Sequence, residues 1–170
     1  MKSEELKKLQ QPLKEKYRND PGAAIITLRA EGRIGEGVSC KIDTGRKIVE
    51  AGLHPASGGD GMMACSGDML LESLVACSGV TLSSVAASIG IKIKEGMVKA
   101  EGDLDFRGTM AVDKDTPVGF KSIRLSFYLN CDEDEDKIQT LLKLTKRYCV
   151  VYQTINSGTK INTGIENSRF

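Results

Sequence analysis

The sequence predicts an α+β domain, and three observations carry that prediction. The stretch Ser66–Gly90, SGDMLLESLVACSGVTLSSVAASIG, contains no proline and is apolar almost all the way round. It reads as one helix of about six turns, of the kind found at the centre of a core rather than on an outer face. Residues 118–129 alternate, with Ile123, Leu125, Phe127 and Leu129 on one face and Arg124, Ser126 and Tyr128 on the other, the period of a half-buried strand. The order along the chain is strands, long helix, strands, helix, strand, which segregates the two element types as an α+β fold does.

Each element has its own justification. At 170 residues the chain is long enough for one domain with a sizeable core, read here as residues 22–170 behind a helical extension at 1–21. In that extension Leu6, Leu9, Leu13 and Tyr17 recur at helical spacing among Lys, Glu and Gln, and Pro12 weakens the helix. Asn19-Asp20-Pro21-Gly22 is a turn. Ala23–Ala30 is rich in β-formers, 37–42 reads as a second strand, Asp43-Thr44-Gly45 as a hairpin turn, and Arg46–Glu50 as the returning strand. Ala51–Cys65, AGLHPASGGDGMMAC, is a glycine-rich loop that leads into the long helix. It lacks the Gly-Lys-Ser/Thr of a phosphate-binding loop, and is better read as shaping a site. His54, the only histidine, is either a plain loop residue or part of that lining. Ser66 is placed to cap the helix, Asp68 suits the positive end of its dipole, and Gly90 is placed to end it in a left-handed conformation. Two long strands are predicted next, 96–110 and 118–129. Residues 132–148 form a second helix, acidic at its start and basic at its end, and 159–166 can make a final strand.

Composition narrows the function. Lys+Arg 24 against Asp+Glu 23 leaves a net charge of +1, and aromatic residues are only 5%. There is thus no basic excess to meet nucleic acid or an anionic membrane, and little to stack on bases. The N-terminal MKSEELKKLQQ has no apolar signal region and no run is expected to reach membrane-spanning length, so a cytoplasmic protein is expected. Five cysteines, 40, 65, 77, 131 and 149, with no C-x-x-C pair and a single histidine, support neither a disulfide framework nor a zinc site. No metal or resident cofactor is expected.

A mid-helix cysteine such as Cys77 packs, by itself, as a small hydrophobe. Two cysteines in parallel settings say more: Cys77 within the long helix, Cys149 just past the second. Around them, SGDMLLESLVACSGVTLSSVAASIGI and RYCVVYQTI, with the weaker GRIGEG, resemble the OsmC/Ohr family, the osmotically induced protein C and organic hydroperoxide resistance proteins. The resemblance covers roughly residues 24–166. It implies an OsmC-like fold, with antiparallel sheets packed on two main helices in an intertwined homodimer, and a metal-free thiol peroxidase. On that reading Cys77 is the peroxidatic thiolate, Cys149 resolves its sulfenic acid, and an external dithiol, lipoyl-type in the family's manner, reduces the disulfide. Arg33 stabilises the thiolate and orients a hydroperoxide, while His54 and Asp68 are candidates to line the substrate site. The chain departs from the family pattern at Val150, where many relatives have proline. It departs also at Gly67, where the hydroperoxide enzymes carry a glutamate that pairs with the arginine. Asp68, nine residues before Cys77, falls near the opposite face of the helix. The departure at Gly67 keeps a second reading open: an OsmC-fold thiol protein that senses redox state or binds a small ligand without efficient turnover. Cys40 and Cys131 read as ordinary side chains, and Cys65, in the loop before the helix, reads as filler with a third redox thiol as the alternative.

Overall fold

The computed structural model describes residues 48–164 in full, the backbone of 31–34 and 39–43, and isolated positions between 4 and 20, where residues 4, 8, 10–12, 15 and 19 are helical. The predicted strand Ala23–Ala30 lies outside the described residues. Strands β1 (Glu31–Ile34), β2 (Ser39–Asp43) and β3 (Ile48–Gly52) form an antiparallel meander. Asp43 is paired with Ile48, as the predicted hairpin requires. The glycine-rich loop is more structured than its composition suggests. It makes a 3₁₀ turn at Pro55–Ser57 and then a two-residue strand, β4 (Ala64–Cys65), which adds parallel to β3 and so departs from a wholly antiparallel sheet.

Helix α1 runs Ser66–Ile89 and ends on Gly90, whose φ of 79° is the left-handed conformation glycine adopts without cost. Its N-cap is Cys65, without a side-chain cap bond, and not Ser66: pairing of β4 holds Cys65 extended, so the helix begins one residue later than a Ser66 cap would set. Strand β5 (Glu95–Leu104) and strand β6 (Phe120–Asn130) pair as an antiparallel ribbon. The predicted strand to residue 110 stops at 104 because Asp105 caps a short helix, α2 (Phe106–Thr109), accepting the Arg107 N–H at 3.2 Å. The Arg107 guanidinium also bonds this carboxylate and holds its pKa down to about 2. Phe120 lies across β5 where Gly102 has no side chain; a Cβ there would come within 2.4 Å of the ring.

Helix α3 (Glu135–Tyr148) starts on Asp134, which accepts from the Lys137 N–H, and it carries Glu135 and Asp136 in its first turn and Lys146 and Arg147 in its last. The predicted charge order is present, three residues further on. A helix the sequence reading did not predict, α4 (Val150–Ser157), follows at once. Residues 159–164 have no regular structure, so the expected final strand is absent among the described residues.

At 24 residues α1 is long and apolar enough to cross a membrane, contrary to the expectation that no run reaches that length. One of its faces packs as the face of a core helix does. It lies against β5, α3 and α4, and Leu82, Val85 and Ala86 meet Ile91 and the fully enclosed Leu141 in one cluster bordered by Phe127 and Leu129. The burial is one-sided, however: Leu70, Val80 and Ile89 on α1 are exposed, Val80 to 72%.

Candidate functional site

The site is built by the junction of α3 and α4 against the flank of α1. Cys149 is extended, with φ −74° and ψ 111°, and serves as the last cap of α3 and the first cap of α4. A helix leaves its first four N–H groups without intrahelical partners, and at α4 these groups meet a carbonyl and two thiols. The Cys149 N–H bonds the Thr145 carbonyl at 2.9 Å. Those of Val150 and Val151 are turned to Cys77 closely enough to draw its thiol pKa down. That of Tyr152 bonds the Cys149 sulfur at 3.5 Å. Two thiols thus share one helix N-terminus, where the backbone dipole favours negative charge.

The two sulfurs differ in exposure. Leu74, Ser78 and Leu82 form the buried face of α1, and Cys77, next to Ser78, is half-buried on its flank. Cys149 is fully enclosed at 0% exposure, with the Ser78 hydroxyl 3.4 Å from its sulfur. Burial pushes the Cys77 thiol up. The Val151 N–H, the Cys149 side chain, the Thr81 hydroxyl and the Val150 N–H together outweigh this, and its pKa falls below the ordinary thiol value. The thiolate is the nucleophilic form, and the shift favours it at Cys77, the more exposed of the two thiols. Cys65, Cys77, Cys131 and Cys149 are all free thiols.

Of the residues singled out in the sequence, the structure brings together Cys77 and Cys149. Arg33 sits in β1 with its backbone opposite Lys41, and its side chain lies outside the described residues. His54 has other contacts: its Nδ1 accepts the Ala56 N–H at 3.0 Å and caps the 3₁₀ turn, and its ring stacks on Phe106 at 5.1 Å. Asp68 lines an open, largely apolar cleft of about 380 Å³ with Glu72, Val75, Ala76 and Ala100, on the α1 face turned to β5. Position 67, where a glutamate would stand in the hydroperoxide enzymes, points at Cys65, Phe120 and Leu104, each 3.6–3.8 Å from a Cβ built there. The sequence reading missed Thr81, Ser78 and the N–H groups of α4. Thr81 and Ser78 were visible as helical neighbours of Cys77, four and one residues on. The helix had a signal too: Val151, Tyr152 and Ile155 recur at helical spacing and Gly158 follows as a stop.

Fold and site together define an α+β domain with two adjoining thiols at a helix N-terminus. The model of the OsmC-like protein family matches residues 59–164, and the chain belongs to that family. Among solved structures it is similar to an OsmC-like protein from Mycoplasma pneumoniae, with 17% identity and a TM-score of 0.66 over 83% of this chain and 96% of that one. It is also similar to an organic hydroperoxide resistance protein OsmC, described as a predicted redox protein, from Legionella pneumophila (17%, TM-score 0.61, 77% and 90%). A third is the organic hydroperoxide resistance protein OhrB of Bacillus subtilis (21%, TM-score 0.51, 76% and 90%). At these identities the likeness is one of fold. No curated protein matches the chain.

Proposed function

We propose that the protein is a thiol peroxidase that reduces organic hydroperoxides through Cys77 and Cys149. The observation that carries this is the pairing of Cys77, whose thiol pKa is drawn down against burial by the Val151 N–H, the Cys149 side chain, the Thr81 hydroxyl and the Val150 N–H, with an enclosed second thiol, Cys149. The Cys77 thiolate attacks the outer peroxide oxygen, the O–O bond breaks, and an alcohol leaves with a proton from solvent while the sulfur becomes a sulfenic acid. Cys149 attacks that sulfur. A disulfide forms, and the thiol proton departs with the hydroxyl as water. An external dithiol, of the lipoyl type, restores both thiols by exchange and is itself oxidised to a disulfide. Arg33 is the candidate cation at the peroxide, and His54 and Asp68 remain candidates for its lining. The apolar α1 surface left open in one chain, Leu70, Val80 and Ile89, supports an obligate homodimer, which light scattering at micromolar concentration would reveal.

Consumption of cumene hydroperoxide in the presence of a dithiol tests the activity, and loss of turnover in Cys77→Ser is the expected control. Gly67 favours one other reading, a redox-sensing or ligand-binding thiol protein. That reading predicts a single oxidation per chain with no sustained consumption.

A further inference from the structure

Helix α1 carries serines that behave in two ways. The hydroxyls of Ser73, Ser83 and Ser88 bond carbonyls of their own helix, those of Leu70, Gly79 and Val85, the usual use of serine within a helix. Ser78 differs from these three. It is 1% exposed, and its hydroxyl meets the Cys149 sulfur across the α1–α3/α4 packing at 3.4 Å. A buried hydroxyl without a partner is costly, so this contact fixes both groups.

We propose that Ser78 is a positioning residue for disulfide closure, its hydroxyl orienting Cys149 and donating to its sulfur as that sulfur becomes the attacking anion; the proposal rests on the two-cysteine reading above. While Cys149 keeps its proton, either atom can be the donor. Once the proton has gone, the Ser78 O–H and the Tyr152 N–H are the groups among the described residues placed to donate to the sulfur. Cys77 faces the same sulfur from α1 as the ionisable partner. Ser78 thereby serves the second chemical step, while Thr81 and the Val150 and Val151 N–H groups serve the first.

The test separates the steps and needs no peroxide. In protein with Cys40, Cys65 and Cys131 changed to serine, an aromatic disulfide reagent reacts with Cys77 and releases one aryl thiolate, leaving Cys77 joined to the second aryl group. Attack by Cys149 then forms the internal disulfide and releases the second aryl thiolate. Ser78→Ala should slow the second phase by about three- to tenfold, since a donor to an anion is lost while the freed sulfur gains some nucleophilicity, and should change the first, which feels Ser78 only through Cys149, by much less. The pH profile of the second phase should move upward further than that of the first. Loss of packing alone would not move one profile further than the other. Equal slowing of both phases, an unchanged second phase, or no second phase in the protein that retains Ser78 would overturn the proposal. Failure of the peroxidase reading would show separately, as a normal two-phase release without turnover of cumene hydroperoxide.

Discussion

Replacing Thr81 by valine removes one hydroxyl from beside Cys77 and keeps the shape of the side chain. Thr81 lies one helical turn beyond Cys77, on the same face of α1, and its hydroxyl is one of four groups that draw the Cys77 pKa down against the effect of burial. A hydrogen bond to a charged group stabilises it by about 1.5–3 kcal/mol; Cys77 is only half-buried, and screening brings the loss nearer ~1 kcal/mol. Since about 1.4 kcal/mol is a factor of ten, the thiolate population below its titration falls about fivefold. The thiolate that remains is more basic and about twofold more nucleophilic, so the net rate at neutral pH falls about two- to threefold. Losing a donor raises the titration midpoint, so the whole rate profile moves to higher pH. Above that midpoint both proteins are fully thiolate, and the variant should be the faster by about twofold. The assay is iodoacetamide alkylation across pH in protein whose Cys40, Cys65 and Cys131 are serine. Superimposable profiles, or a variant slower at every pH, would refute the assignment of Thr81 as a thiolate donor.

Cys149→Ser should accumulate sulfenic acid on Cys77 after a hydroperoxide pulse and over-oxidise in excess, read by dimedone trapping and intact mass; a stable, unmodified Cys77 would count against Cys149 as its resolver. Arg33→Ala should slow Cys77 alkylation at neutral pH, and Arg33→Lys should restore little, because a point charge does not reproduce a planar fork; alkylation of the alanine variant at the parent rate would remove Arg33 as activator. Leu141→Ala empties the centre of the core, where Leu141 is 0% exposed against Leu82, Val85 and Ile91, and should cost about 3 kcal/mol in chemical denaturation; a loss under ~1 kcal/mol would show that the site collapses around the smaller side chain.

The parts of the fold that were legible are those whose signals are local. The span of α1 shows in an apolar run without proline that closes on Gly90; β6 shows in its period of two; α3 shows in five acidic residues followed by basic ones. The parts that were not legible depend on a partner. Val150 and Val151 are β-branched and follow an extended cysteine, so they read locally as the end of a helix. Packing of Val151, Tyr152 and Ile155 makes them the start of another. Thr159 to Gly164 alternate weakly, but they find no strand to pair with among the described residues. At the site, sequence supplied the two cysteines through their settings in the chain. It could not supply the donors, because three of them are backbone N–H groups of a helix whose first residues look like a strand.

The central claim is that Cys77 and Cys149 form one redox pair, and peptide mapping tests it most directly. Fully reduced protein is treated with equimolar cumene hydroperoxide, alkylated, digested without reductant and analysed by mass spectrometry. The account predicts a linked pair of peptides containing Cys77 and Cys149, with Cys40 and Cys131 alkylated as free thiols. Cys77 linked mainly to Cys65, or recovered as an unoxidised thiol, would contradict it.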